Sequence, residues 1–186
     1  MSFFVNTMVC GFSLYQILAF FLIYSCLGWC LEVIYAAVST GQLVNRGFLN
    51  GPVCPIYGFG MIIVLFTLSP LADNLLLLYI GGVILPSVLE LVGGWALYKL
   101  YHTRWWDYSA MPFNLDGYVC LQYSLLWGLL GMAAVRWGND LLFRFCAHLP
   151  PLLFHAVVWG GMALAVLDQI SAMVVVSRYA NRHPRL

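Results

Sequence analysis

Apolar residues run along the chain in long unbroken stretches. They follow neither the 3.6-residue rhythm of a half-solvated helix nor the two-residue rhythm of a half-buried strand. Five stretches stand out: Leu14–Val38, Pro55–Leu71, Leu75–Tyr101, Tyr118–Trp137 and Leu152–Ser177. A bilayer core about 30 Å thick takes about 20 residues of apolar helix, so each stretch predicts a membrane span. Turn-forming and polar residues collect between them. The second span is the shortest, and Leu71–Asn74 is a tight link to the third. Pro55 suits a first helical turn, where its missing N–H costs nothing. Pro86 lies inside the third span and predicts a kink.

Composition excludes the alternatives. Of 186 residues, 63% are hydrophobic and 8% charged, against about 25% charged in a typical soluble domain. So few charges cannot cover a water-facing surface. A soluble globule, a disordered chain and a basic nucleic-acid binder are all excluded, and the net charge of +1 offers nothing to attract nucleic acid. The reading is an all-α integral membrane protein, one transmembrane domain over residues 1–186. The first apolar stretch lacks the basic start and cleavage site of a signal peptide and reads as a retained span.

Five spans place the two ends of the chain on opposite sides, and basic residues choose which. Arg178, Arg182 and Arg185 put the C-terminal tail in the cytoplasm, together with the connections that hold Arg46, Lys99 and Arg104. Only Arg136 and Arg144 then fall outside. The expected topology is N-terminus outside, C-terminus cytoplasmic.

The chain also resembles itself at an offset of 66 residues. Gly28, Trp29, Leu31 and Tyr35 meet Gly94, Trp95, Leu97 and Tyr101. Leu49, Gly51, Val53, Cys54 and Tyr57 meet Leu115, Gly117, Val119, Cys120 and Tyr123. The predicted architecture is two parallel helix–loop–helix repeats, about 14–71 and about 75–137, plus a fifth helix at about 152–177. Repeats of this kind often hold a site at their interface.

Ionisable residues inside a span are costly and point to function by default. Glu32, Glu90 and Asp168 lie in the cytoplasmic halves of the first, third and fifth spans. The connection Gly41–Gly60 is dense in Gly and Pro, which break helix. It also carries Leu43, Val44, Phe48, Leu49 and Val53, which call for burial, so a re-entrant or interfacial loop is expected. Asn45 and Asn50 are its natural partners for unpaired backbone, and Arg46 is the counter-charge for Glu32 or Glu90. In the third connection, Arg104, Trp106, Asp107 and Asn114 stand among the aromatics Trp105, Tyr108 and Phe113. Aromatics alone would be belt anchors; an embedded acid and amide suggest more. Helices starting after the matching Gly51 and Gly117 would present positive dipole ends and free N–H groups. With Arg46 and Arg104 these would cradle an anion such as a phosphate headgroup.

Other chemistry is thin. The six cysteines include no CxxC pair. His148 and His155 lack a third ligand nearby, so no metal is expected. No Walker loop, GxSxG, HExxH or dinucleotide fingerprint occurs, and no cofactor is implied.

Two blocks carry a resemblance. Gly28-Trp29 with Glu32, Val44 to Pro52 (VNRGFLNGP) and Cys54 to Gly60 (CPIYGFG) form the first. Trp105 to Ser109 (WWDYS), Pro112 to Leu115 (PFNL) and Gly117 form the second. Over roughly Gly28 to Gly128 the chain resembles the putative ABC-transporter type IV permeases, the CmpB-like family. The resemblance implies a transport component that works as a homo-oligomer or with a separate ATPase subunit, in contact with membrane lipid. The site residues to weigh are Glu32, Asn45, Arg46, Asn50, Glu90, Arg104, Trp106, Asp107 and Asn114. The alternative is a membrane-embedded enzyme or lipid-headgroup-binding protein acting at the cytoplasmic interface. No catalytic residue is assigned.

Overall fold

The computed structural model describes residues 8–9, 12–45 and 49–182 and is mostly helical. Two-residue strands β1 (Met8–Val9) and β2 (Phe12–Ser13) pair antiparallel ahead of α1, Leu14–Thr40. Ser13 caps α1: its hydroxyl accepts from the Gln16 amide, and the Gln16 side chain accepts from the Ser13 amide at 2.8 Å. This reciprocal box satisfies two orphan donors at once. Gly41 ends α1 at φ 71°, a left-handed conformation that costs glycine little.

Helix α2, Pro55–Leu68, tightens into a 3₁₀ turn at Ser69–Leu71. Helix α3, Leu75–Tyr101, is capped by the Asn74 side chain and runs through Pro86. A hairpin of β3 (Asn114–Leu115) and β4 (Val119–Cys120) precedes α4, Leu121–Ala133. A π turn at Ala134–Gly138 leads directly into α5, Asn139–Ala147, and α6 spans Pro151–Arg182.

The first helix runs two residues past the expected Val38 and the last covers Pro151–Arg182 rather than Leu152–Ser177, and two larger differences change the reading. Tyr118–Cys120 is hairpin rather than the start of the fourth span, because β4 pairs with β3. The segment after Trp137 is helix rather than connection. Leu141, Leu142, Phe143 and Phe145 alternate with Asn139, Asp140 and Arg144 at helical spacing, which makes α5 amphipathic.

Among the described residues, α1, α3 and α6 are long and apolar enough to cross a bilayer. At about 1.5 Å per residue, the 27 residues of α1 and of α3 reach about 40 Å, more than the hydrocarbon core. Helix α2 with its 3₁₀ turn is apolar but shorter. Large side chains such as Leu76, Leu100, Leu152 and Leu164 lie exposed along these helices. In water that would be an unsustainable surface; against lipid tails it costs nothing.

The helices group into two compact units, divided at Ile62/Ile63 within α2 and at Leu149/Pro150. In the first unit, Tyr15, Ala19, Phe21 and Leu22 of α1 form a core with Val158 and Ala165 of α6. The Tyr15 ring meets Phe154 edge-on at 5.2 Å. The start of α2 lies tight on α1. A methyl at Gly58 would collide with Ser25 and with the Phe21 carbonyl, and one at Gly28 would collide with the Tyr57 ring. In the second unit α3 and α4 cross at Gly82 and Gly128, where a Cβ on Gly82 would sit 3.1 Å from the Gly128 carbonyl oxygen. Small residues are how helices approach closely without a hydrophobic drive between them. Nearby, the Ser87 hydroxyl bonds to the Val83 carbonyl at 2.6 Å and to the Ser124 hydroxyl at 2.7 Å.

Candidate functional site

The expected site residues fall into two polar clusters, one in each unit. In the first, the segment after α1 turns back on itself through Asn45. Its side-chain amide donates to the Leu49 carbonyl at 2.9 Å and the Asn50 carbonyl at 3.0 Å. Its Oδ1 accepts from the Trp29 indole at 3.1 Å. The expectation that Asn45 would supply partners to irregular backbone is met. Burial is uneven: Leu49 is 2% exposed and Val53 half-buried, while Leu43 and Val44 are exposed, not buried as expected. Those two directly follow the left-handed turn at Gly41, where the chain has left α1 and not yet folded back. Arg46 and Phe48 lie outside the described residues.

Asp168 of α6 fastens this loop. Its carboxylate accepts from the Gly51 amide at 2.7 Å, from the Asn50 side chain at 3.0 Å and from the Asn50 amide at 3.3 Å. Ser171 adds a fourth donor at 3.3 Å. The Gly51 amide, expected to await an anion, is thus held by an internal carboxylate 117 residues away. Helix α2 starts four residues later, at Pro55. Glu32 meets a tyrosine: the Tyr57 hydroxyl donates to it at 2.6 Å. Between them Cys54 is buried, its amide bonded to the Ser25 carbonyl at 3.0 Å. Burial, with the Glu32 carboxylate as a lesser cause, pushes its thiol pKa up to about 12, so Cys54 is an inert packing group at neutral pH.

The second cluster is built on the β3–β4 hairpin and the end of α3. Asp116 and Gly117 turn the hairpin with positive φ, 49° and 73°. Asn114 bridges it: Oδ1 accepts from the Gly117 amide at 3.0 Å, and Nδ2 donates to the Met111 carbonyl at 2.8 Å and the Ser109 carbonyl at 3.3 Å. The second glycine amide therefore also has an internal acceptor. Trp106 donates its indole N–H to the Tyr118 carbonyl at 2.9 Å, and its ring closes on Gly94. That makes it a structural wedge rather than a belt anchor. Glu90 accepts from the Tyr108 hydroxyl at 3.4 Å, and the Tyr108 ring packs on Tyr123 at 5.0 Å.

Arg104 is the hub of the hairpin. Nη1 donates to the Asp116 carbonyl at 2.7 Å and lies 3.5 Å from Asp107 Oδ1. Its guanidinium stacks over Tyr118 at 4.6 Å and Tyr98 at 5.6 Å, a geometry that suits Arg more than Lys. Hydrogen bonds from Ser109, and then the Arg104 charge, hold the Asp107 carboxyl below the usual carboxylate range. Beside Arg104 opens a depression of about 560 Å³, with Trp95, Tyr98 and Lys99 of α3 on its wall and Asp116, Gly117 and Tyr118 of the hairpin facing in.

The structure thus gathers Glu32, Asn45 and Asn50 into one cluster and Glu90, Arg104, Trp106, Asp107 and Asn114 into the other. Sequence reasoning missed the hydroxyl partners Tyr57 and Tyr108. The repeat match of Tyr57 with Tyr123 was a partial signal for the first. It also missed that Asp168 reaches the Asn50-Gly51 turn.

The model of one family, "Putative ABC-transporter type IV", matches residues 19–173. The chain belongs to this family. Neither a curated protein nor a solved structure matches it. Membership and the apolar helices make the protein a membrane component of a transport family, in agreement with the resemblance seen in its two sequence blocks.

Proposed function

We propose that the chain is the permease-type subunit of a membrane transporter, with five spans. These form two parallel repeats and a fifth helix, with the N-terminus outside and the C-terminus cytoplasmic. The observation that carries this reading is the family match, which runs from within α1 to within α6. The basic residues support the orientation. With no nucleotide-binding motif of its own, the subunit draws energy from a separate ATPase, and it assembles as a homo-oligomer or with that partner. Each polar cluster is a separate candidate for substrate contact on the cytoplasmic side: Glu32, Asn45 and Asn50, with Arg46 from the same connection, in the first repeat, and Glu90, Arg104, Trp106, Asp107 and Asn114 in the second. Asp168 holds the Asn50-Gly51 turn as an anionic substrate group would, so an incoming anion competes with it for these donors.

Native mass spectrometry of the protein extracted gently from its own membrane tests the reading. A co-purifying ATPase or a defined higher oligomer is expected. A monomer that never carries a nucleotide-binding partner, in detergent or in native lipid discs, refutes it. The second reading is a headgroup-binding protein, favoured by the mixed-charge depression beside Arg104.

A further inference from the structure

We propose that the depression beside Arg104 binds the headgroup of a zwitterionic, primary-amine glycerophospholipid, with the phosphate on Lys99 and Arg104 and the ammonium on Asp116. The inference rests on the membrane reading of α3 and requires no transport partner.

Its chemistry is read from the wall. Lys99 has no hydrogen-bond or ion-pair partner among the described residues, and neither does the Asp116 carboxylate. Arg104 spends only Nη1 on the protein, so Nη2 and Nε remain to donate. A phosphate suits a guanidinium fork beside an ammonium. Yet Asp107 and Asp116 share the same wall, and they would repel a bare phosphate or an anionic headgroup. A ligand carrying both signs satisfies both pairs.

The kind of amine follows as well. Quaternary ammonium groups are recognised by open aromatic faces. Here the Arg104 guanidinium already covers Tyr118 and approaches Tyr98, which leaves Trp95 alone and no aromatic cage. The Asp116 carboxylate hydrogen-bonds a primary ammonium and not a choline. Depth argues for a lipid rather than a soluble zwitterion. Lys99 is the one basic residue of α3 and lies in its last turn, and Trp95, 53% exposed, stands one turn before it. Trp and Tyr at that level mark the headgroup layer.

The test is native mass spectrometry of delipidated protein given equal amounts of phosphatidylethanolamine, phosphatidylcholine and phosphatidylglycerol. Wild type is expected to retain phosphatidylethanolamine above the other two. Lys99→Gln and Asp116→Asn, which break no contact within the protein, each reduce that adduct about tenfold, the worth of one charge-assisted hydrogen bond. Lys99→Arg retains it. Equal retention of phosphatidylglycerol, or no loss in Asp116→Asn, overturns the zwitterion assignment. Competition by free phosphoethanolamine as strong as by the lipid overturns the lipid assignment. A co-purifying ATPase on a protein that fails here leaves the transport reading standing.

Discussion

Asp168→Ala is the most informative single change in the first cluster, because it removes one residue of α6 and reads out at a loop far away in sequence. The carboxylate has four donors. The two long contacts, at 3.3 Å from the Asn50 amide and from Ser171, lie at the weak end of hydrogen-bond geometry and count for little. The two short ones, at 2.7 Å from Gly51 and 3.0 Å from the Asn50 side chain, contribute about 1 kcal/mol each after exchange with water. The loop should therefore lose about 2 kcal/mol of local stability, which raises its open population about thirtyfold.

Cys54 reports that opening. It is 7% exposed and lies three residues beyond Gly51. Thiol labelling resolved by peptide mass spectrometry separates it from the other cysteines. With closing faster than labelling, the Cys54 rate follows the open population and should rise about thirtyfold, while Asp168→Asn, which keeps one acceptor oxygen, gives a smaller rise. A Cys54 rate unchanged within about twofold, in a protein that still elutes as the wild type does, would show that the carboxylate does not hold the loop. The reasoning about its hydrogen bonds would then be wrong.

Two further outcomes follow from the second unit. Gly128→Val drives a branched side chain into Tyr79 and Val83 of α3; overpacking of this kind costs about 1–3 kcal/mol. It should lower the unfolding midpoint in mixed micelles, whereas Gly160→Ala on α6, with open space around it, should not; equal shifts would contradict the close crossing. Asp107, held below the usual carboxylate range by Ser109 and Arg104, contributes stability that is complete above the unfolded carboxylate pKa, about 3.9. That stability is lost as pH falls through its lowered folded value. Exchange protection of the Ser109 amide should therefore persist at about pH 5 and fall only below about pH 4; protection already lost near neutrality would refute the assignment.

The long apolar helices were legible because they obey one strong rule: a bilayer demands about 20 apolar residues of helix. Leu75–Tyr101 and the Pro55 start of α2 needed no tertiary information. Helix α5 was not legible as helix, since Asp140 and Arg144 interrupt the apolar run. A hydropathy reading ends there, although the backbone keeps its helix through a π turn. Asn45 was legible for a different reason: a loop too apolar to be a linker must satisfy its carbonyls internally.

Pairing was the illegible part. The sequence shows three acids and two loop arginines, and charge logic pairs acid with arginine. The structure pairs Glu32 with Tyr57, Glu90 with Tyr108 and Asp168 with the Gly51 amide and the Asn50 side chain. A bare ion pair taken out of water needs near-ideal geometry to repay its desolvation. A phenol beside a carboxylate brings no second charge to desolvate, and it donates a hydrogen bond to the acid instead. Arg104, the arginine whose place is described, lies instead at an exposed hairpin, where water limits that cost and aromatic faces carry part of the load. The division follows from dielectric: neutral hydroxyls and amides serve the acids along the helices, and the guanidinium stays at the hairpin. Charge patterning in the sequence carries no term for that depth, which is why it did not point to Tyr57, Tyr108 or the Asn50-Gly51 turn.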